Sequence, residues 1–198
     1  MAAMNQDPVL RDCRRHQLAL RLMAHQARTQ TISVLTNLSR HQLAALRQRC
    51  SIPERMRQRG PSPRSLDRFT HSLPARREGA TLAVFCHAYR VLPMRTAAHD
   101  SRRRRMTLEF GERLCATYEA YCACFPRSRI AIEDLLCLVI GLSDGREVGL
   151  GCCASCGGTV LIDILATNQE TCSQCHVALD AAEGPNMETV RRESTVNH

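Results

Sequence analysis

The chain has 198 residues, 44% of them hydrophobic, and only 10 Gly and 8 Pro, which supports a buried core and excludes collagen-like and low-complexity classes. Its 27 basic residues are all arginine and outnumber the 19 acidic residues, for a net charge of +8. The longest apolar stretch, around Leu135 to Ile140, falls short of the roughly 20 residues that span a bilayer. The start, Met1 to Pro8, lacks the basic and apolar regions of a secretory signal, so a soluble, cytoplasmic protein is expected.

The expected fold is mainly α. A bundle-like helical region over 1–142 contains a helix-turn-helix-like pair; a small four-cysteine zinc ribbon over 143–180 and a flexible tail over 181–198 follow. The first helix is predicted over Pro8 to Ala27, where Val9, Leu10, Cys13, Leu18, Leu22 and Met23 form an apolar stripe. The helical pair occupies Thr29 to Cys50. From Ser51 to Pro74 the chain carries Pro53, Gly60, Pro61, Pro63 and Pro74 among many arginines, and reads as a linker or irregular arm.

Helix resumes at about Gly79, with Leu82, Phe85, Tyr89 and Leu92 on one face, and stops at Pro93. The run Arg102 to Arg105 sits in a polar connection. Leu114, Tyr118, Tyr121, Cys122 and Phe125 mark the face of a helix over Thr107 to Phe125, closed by Pro126. Ser128 is the expected cap of a last helix through Ile132, Leu135, Leu136, Val139 and Ile140, closed by Ser143-Asp144-Gly145. Beyond it, the branched run Thr159 to Leu165 and the turn-forming Thr167 to Glu170 predict a short hairpin between two cysteine pairs.

Those pairs carry the clearest chemistry. Cys153-Ala-Ser-Cys156-Gly-Gly and Cys172-Ser-Gln-Cys175 are two C-x-x-C turns, each able to place two thiolates on one edge of a tetrahedron, with Gly157 allowing a sharp turn behind the first pair. One structural zinc ion per chain is expected on Cys153, Cys156, Cys172 and Cys175, because four thiolates leave no open position for water or substrate. Cys152 and His176 adjoin these ligands. Cys152 would make a pair with three intervening residues, which fits a zinc turn less well, and is read as a bystander. The eight cysteines outside the two turns, Cys13, Cys50, Cys86, Cys115, Cys122, Cys124, Cys137 and Cys152 itself, read mostly as buried core thiols.

The charge is divided along the chain. Residues 1–129 hold 24 Arg and 9 acids, a balance of +15, whereas residues 130–198 hold 3 Arg and 10 acids, a balance of −7. A basic body of arginine, whose planar fork binds phosphates and guanine edges, points to a polyanionic partner such as nucleic acid. In the helical pair, Ile32 and Leu35 face inward, Asn37 makes a left-handed turn, Ser39 caps, and Leu43 and Leu46 anchor the second helix. Arg40 and Gln42 would then approach base edges, and Arg47 and Arg49 phosphates, with Arg102, Arg103, Arg104 and Arg105 a second phosphate-binding run. An ordinary helical hairpin and a solvated loop remain the plainer readings of these two features. No phosphate-binding Gly-rich loop, H-E-x-x-H or G-x-S-x-G occurs, and no nucleophile–base–orienter set assembles, so an enzyme is not expected.

The order of features is an N-terminal helix, Thr36-Asn-Leu-Ser-Arg40 with Leu43 and Leu46, a Gly60-Pro-Ser-Pro arm, Ala83 to Tyr89, and a terminal pair of C-x-x-C turns. In that order the chain resembles the FlhC family of flagellar transcriptional activators over roughly residues 8–176. The resemblance implies a mostly helical cytoplasmic subunit that assembles with an FlhD-type partner, binds double-stranded promoter DNA of flagellar operons, works with RNA polymerase, and holds one zinc on the four matching cysteines. Two departures stand out. Ser65-Leu-Asp-Arg-Phe69 lacks the tryptophan usual in the family's arm, and the tail is acidic where the family's is often basic, which moves the expected DNA contacts to the arginines before residue 106. The alternative is a zinc-stabilised adaptor whose basic face binds an acidic protein, and a third reading is an enzyme with a reactive cysteine.

Overall fold

The computed structural model describes residues 7–53, 60, 63, 65–92, 106–164, 171, 172 and 174–176. The helices are α1 (Pro8–Ala24), α2 (Thr29–Thr36), α3 (Arg40–Arg49), α4 (Asp67–Thr70), α5 (Leu73–Ala88), α6 (Leu108–Cys124) and α7 (Ile132–Asp144), followed by strands β1 (Val148–Cys152) and β2 (Thr159–Asp163). The fold is mainly α, as expected, and among the described residues the strands form one antiparallel pair, with Val148 opposite Asp163 and Cys152 opposite Thr159.

Helix starts follow capping chemistry. The Asp7 carboxylate accepts from the Val9 N–H at 2.9 Å, and Pro8 opens α1, where a missing N–H costs nothing. The same logic moves the start of α5. It begins at Leu73 rather than Gly79, with Ser72 Oγ accepting from the Ala75 N–H at 3.3 Å and Pro74 in the first turn. Pro74 thus belongs to a helix start and not to the linker, while Leu66 and Phe69, 5% and 1% exposed, anchor the end of that arm in the core. Ser128 does not cap α7. Its hydroxyl donates to Glu78 Oε1 at 2.8 Å and accepts from the Ile130 N–H at 3.2 Å, and α7 instead begins after Ala131, whose N–H donates to the Asp134 carboxylate at 2.9 Å. The helix runs on to Asp144, two residues past the boundary expected at 142.

Three helices end on a shared device. Gln26, Ser51 and Arg90 adopt φ of 58°, 50° and 55°, and the N–H of the next residue reaches back five positions: Ala27 to the Leu22 carbonyl, Ile52 to Arg47 and Val91 to Cys86. In each case the residue after the left-handed one is apolar and packs against the core. Ala27 and Leu92 therefore contribute to the apolar stripe while lying beyond their helices, so α1 stops at Ala24 and α5 at Ala88.

The helical core is organised by α1 lying parallel to α6. Arg14 pairs with Glu112 at 2.6 Å and Arg21 with Glu119 at 2.7 Å, two links seven residues apart on both helices, and His25 adds a 2.8 Å contact to Glu119. Desolvation opposes charging Glu119, but the hydrogen bonds from Arg21 and His25 prevail and lower its pKa. Leu18, Leu22, Ile32, Leu35, Leu114, Leu135 and Leu138 are all 2% exposed or less and fill the space between helices. Glu133, 3% exposed, ties α7 to the start of α2 by accepting from the Arg28 N–H at 2.8 Å and Thr31 Oγ1 at 3.0 Å, where a carboxylate also suits the positive end of the helix.

The strand pair is not a separate body. Val148 and Leu161, 0% and 2% exposed, belong to the same core as the helices, and β2 packs on α5. At the crossing, a Cβ on Gly79 would lie 2.8 Å from Leu161 Cδ2 and 3.2 Å from Phe69 Cδ1, so a larger residue there would push these side chains aside. Of the eight cysteines expected mostly in the core, Cys86 and Cys115 are buried, Cys122 and Cys137 half-buried, and Cys13, Cys50, Cys124 and Cys152 exposed. Burial pushes the Cys86 and Cys115 thiols up to about 12.

Gly79→Val overpacks the α5–β2 crossing and is expected to destabilise the fold by about 1–3 kcal/mol in urea unfolding. Arg90→Gly removes a left-handed non-glycine residue and is expected to stabilise by ~1 kcal/mol in the same assay.

Candidate metal centre

The first cysteine turn is the loop of the β1–β2 hairpin itself. The antiparallel register ends at Cys152 and Thr159, and the intervening loop closes with the Cys153 N–H donating to the Gly158 carbonyl and the Gly157 N–H to the Cys153 carbonyl, both at 2.8 Å. Gly157 takes φ of 70°, the left-handed conformation expected of it behind the first pair. This corrects the predicted hairpin: among the described residues, the strand at 159 pairs backward with residues 148–152, across the first C-x-x-C. The glycines Gly149 and Gly151 in β1 hid that strand, since glycine weakens the branched pattern by which strands are recognised. The turn expected at Thr167 to Glu170 lies outside the described residues.

The second turn carries Cys172 and Cys175, and its start is helical, with the His176 N–H donating to the Cys172 carbonyl at 2.9 Å. The chain thus returns both sulfurs to the hairpin loop. The Sγ atoms of Cys153, Cys156, Cys172 and Cys175 all lie within 4.8 Å of one another, and Cys156 Sγ is 3.7 Å from Cys172 Sγ. A tetrahedron of sulfurs at the Zn–S distance of about 2.3 Å has an edge of about 3.8 Å. All four thiols are free. The donor set and its spacing therefore fit a divalent ion, and these four residues can hold one. Cys152, in β1, and His176 are exposed and lie outside the cluster.

Backbone donors favour thiolates at this site. The Cys172 N–H donates to Cys153 Sγ at 3.2 Å, and the Cys175 N–H to Cys172 Sγ at 3.4 Å. Hydrogen bonds from the Cys172 and Cys156 backbone push the Cys153 thiol down to about 6, and the Cys175 N–H lowers Cys172. Cys175 is pushed up to about 12, chiefly by its hydrogen bond to Cys172, so the cluster keeps a proton that a bound cation must displace. Four sulfur ligands complete a tetrahedral shell, which suits a structural ion.

The other residues singled out in the sequence are placed unevenly. The α2–α3 turn has the expected form: Asn37 has φ of 57°, Ser39 Oγ accepts from the Gln42 N–H at 3.2 Å, and Leu43 is buried. Arg40 and Arg49 are exposed. Gln42 is exposed too, but its side-chain oxygen accepts from the Ser39 N–H at 2.8 Å, so it is foremost a cap. Arg47 is half-buried and donates to Thr29 Oγ1 at 3.3 Å, which commits part of its guanidinium to holding α3 on α2. Arg102, Arg103, Arg104 and Arg105 lie outside the described residues. Arg76, which lines a groove beside the cysteines, falls between the linker expected to end at Pro74 and the helix expected from Gly79; the Ser72-Leu-Pro74 start is the signal that places it in α5. No helix among the described residues is long and apolar enough to cross a membrane.

No family model matches this sequence, and no curated protein matches it significantly.

Chelation of a bound ion is expected to unfold the cysteine turns, and Cys156→Ser to lower metal content, read by elemental analysis and circular dichroism. Protons compete with the cation for sulfur. Metal affinity is therefore expected to fall with acidification, most steeply as the pH drops through about 6 and Cys153 also takes a proton.

Proposed function

We propose that this chain is a DNA-binding transcriptional activator subunit of the FlhC type, which holds one structural zinc on Cys153, Cys156, Cys172 and Cys175 and acts on flagellar promoters together with an FlhD-type partner. The observation that carries the reading is the α2–α3 pair. Its tight turn through Asn37, the Ser39–Gln42 capping box and the buried Leu43 put the first turn of α3 at the surface with Arg40 exposed. A short helix held by its predecessor, with basic residues at both ends, is the kind of element that enters a major groove.

Zinc is the ion that the donor set favours, since a closed tetrahedral shell of four sulfurs is its usual structural site. The cation would supply folding free energy to the two cysteine turns at the end of the hairpin, and would carry no chemistry on a substrate. Exposed apolar side chains support a partner chain: Val9 and Leu10 on α1 are 70% and 39% exposed, and Phe125 after α6 is 43% exposed. DNA affinity in this reading comes from arginine on phosphates, and selection among sequences from base-edge contacts and the deformability of the site.

Co-expression with an FlhD-type partner is expected to yield a stable mixed assembly with one zinc per chain of the present protein. Titrated with a flagellar-promoter duplex and with a scrambled duplex, that assembly is expected to prefer the promoter and to lose affinity steeply with salt. Arg49→Ala should reduce the salt slope by about 1 and leave the preference intact, while Arg40→Ala should erode the preference. Equal binding of both duplexes at all salt concentrations would overturn the activator reading and favour the basic adaptor.

A further inference from the structure

α5 runs beside the cysteine cluster, and a groove of about 270 Å³ lies between them. Arg76, Arg77, Ala80 and Thr81 of α5 form one wall, and Cys156 and Cys172 stand in the other. No Asp or Glu among the described residues lines the groove. Arg76 Nε is withdrawn from solvent and has no hydrogen-bond partner among the described residues. A charged donor in that position is costly unless an acceptor is supplied.

No sulfur of the cysteine cluster accepts from it, so Arg76 faces the cluster across the groove through charge and not through a hydrogen bond. Four thiolates around a divalent cation leave two negative charges in excess, and Cys156 and Cys172 bring that charge to the groove wall. A free anion such as phosphate is a poor occupant of the same groove, because one of its walls would then carry that excess negative charge. We propose that Arg76, assisted by Arg77, is the counter-charge of the metal–tetrathiolate centre, a positioning residue that balances the thiolates from α5 and couples metal occupancy to the docking of the hairpin on that helix. The proposal rests on the metal reading of the four cysteines and adds to it a residue outside the C-x-x-C turns.

The experiment uses the full chain loaded with zinc or with cobalt. Native protein with one ion per chain establishes the metal reading first; native protein that binds none overturns that reading and this proposal together. Arg76→Gln is then expected to release zinc to a chelator roughly 10–100-fold faster than native, and to shift the sulfur-to-cobalt charge-transfer band. Arg76→Lys, which keeps the charge, is expected to release zinc nearly as slowly as native. A one-ion native protein whose Arg76→Gln variant shows the native release rate and the native cobalt spectrum overturns the counter-charge role alone. If Arg76→Gln does not fold by circular dichroism, Arg76→Lys decides: native-like release supports the role, and loss of the ion overturns it.

Discussion

The crossing of α5 over β2 at Gly79 is the contact on which the C-terminal half of the structure depends. With no side chain there, Leu161 and Phe69 both sit close against the helix, and Val148 and Leu161 become part of the helical core. A two-stranded hairpin is marginal by itself in water. Here it has a floor, provided by α5, and a far end where four sulfurs converge. Both supports act on the same strands, so the loop bearing Cys153 and Cys156 is presented from a fixed base.

Placement of the arginines follows from packing as much as from charge. Arg14 and Arg21 are spent on α6, Arg47 on α2, and Arg68 on Asp134 at 3.4 Å. These guanidiniums organise the fold. The basic surplus that remains for an outside partner is accordingly smaller than the composition implies, and in the helical pair it rests mainly with Arg40 and Arg49.

Much of the helical order was legible because it is written in 3.6-residue periodicity and in capping residues. Asn37 and Ser39 located the α2–α3 turn, and Gly157 the bend behind the first cysteine pair, since both depend on local backbone chemistry. Helix ends were misplaced where the left-handed cap is Gln26 or Arg90 in place of glycine, and where Ala27 or Leu92 continues the apolar stripe after the helix has stopped. The grouping of Cys153, Cys156, Cys172 and Cys175 was legible from spacing alone. The strand that frames them was not: Gly149 and Gly151 dilute its pattern, and its pairing is decided by β2 and the core beneath it. Nor could periodicity disclose Arg76, whose position depends on where a distant hairpin docks.

The parallel alignment of α1 with α6 bears on how the chain is made. Arg14 and Arg21 meet carboxylates 98 positions further along, so α1, which can pack on α2 at once, lacks α6 until that helix has been made. At about 5–20 residues per second that interval is roughly 5–20 s. Throughout it the apolar stripe of α1 has only part of its cover, and closure waits on a long-range contact of the kind that slows folding. A nascent chain of this design is most vulnerable to aggregation before α6 emerges.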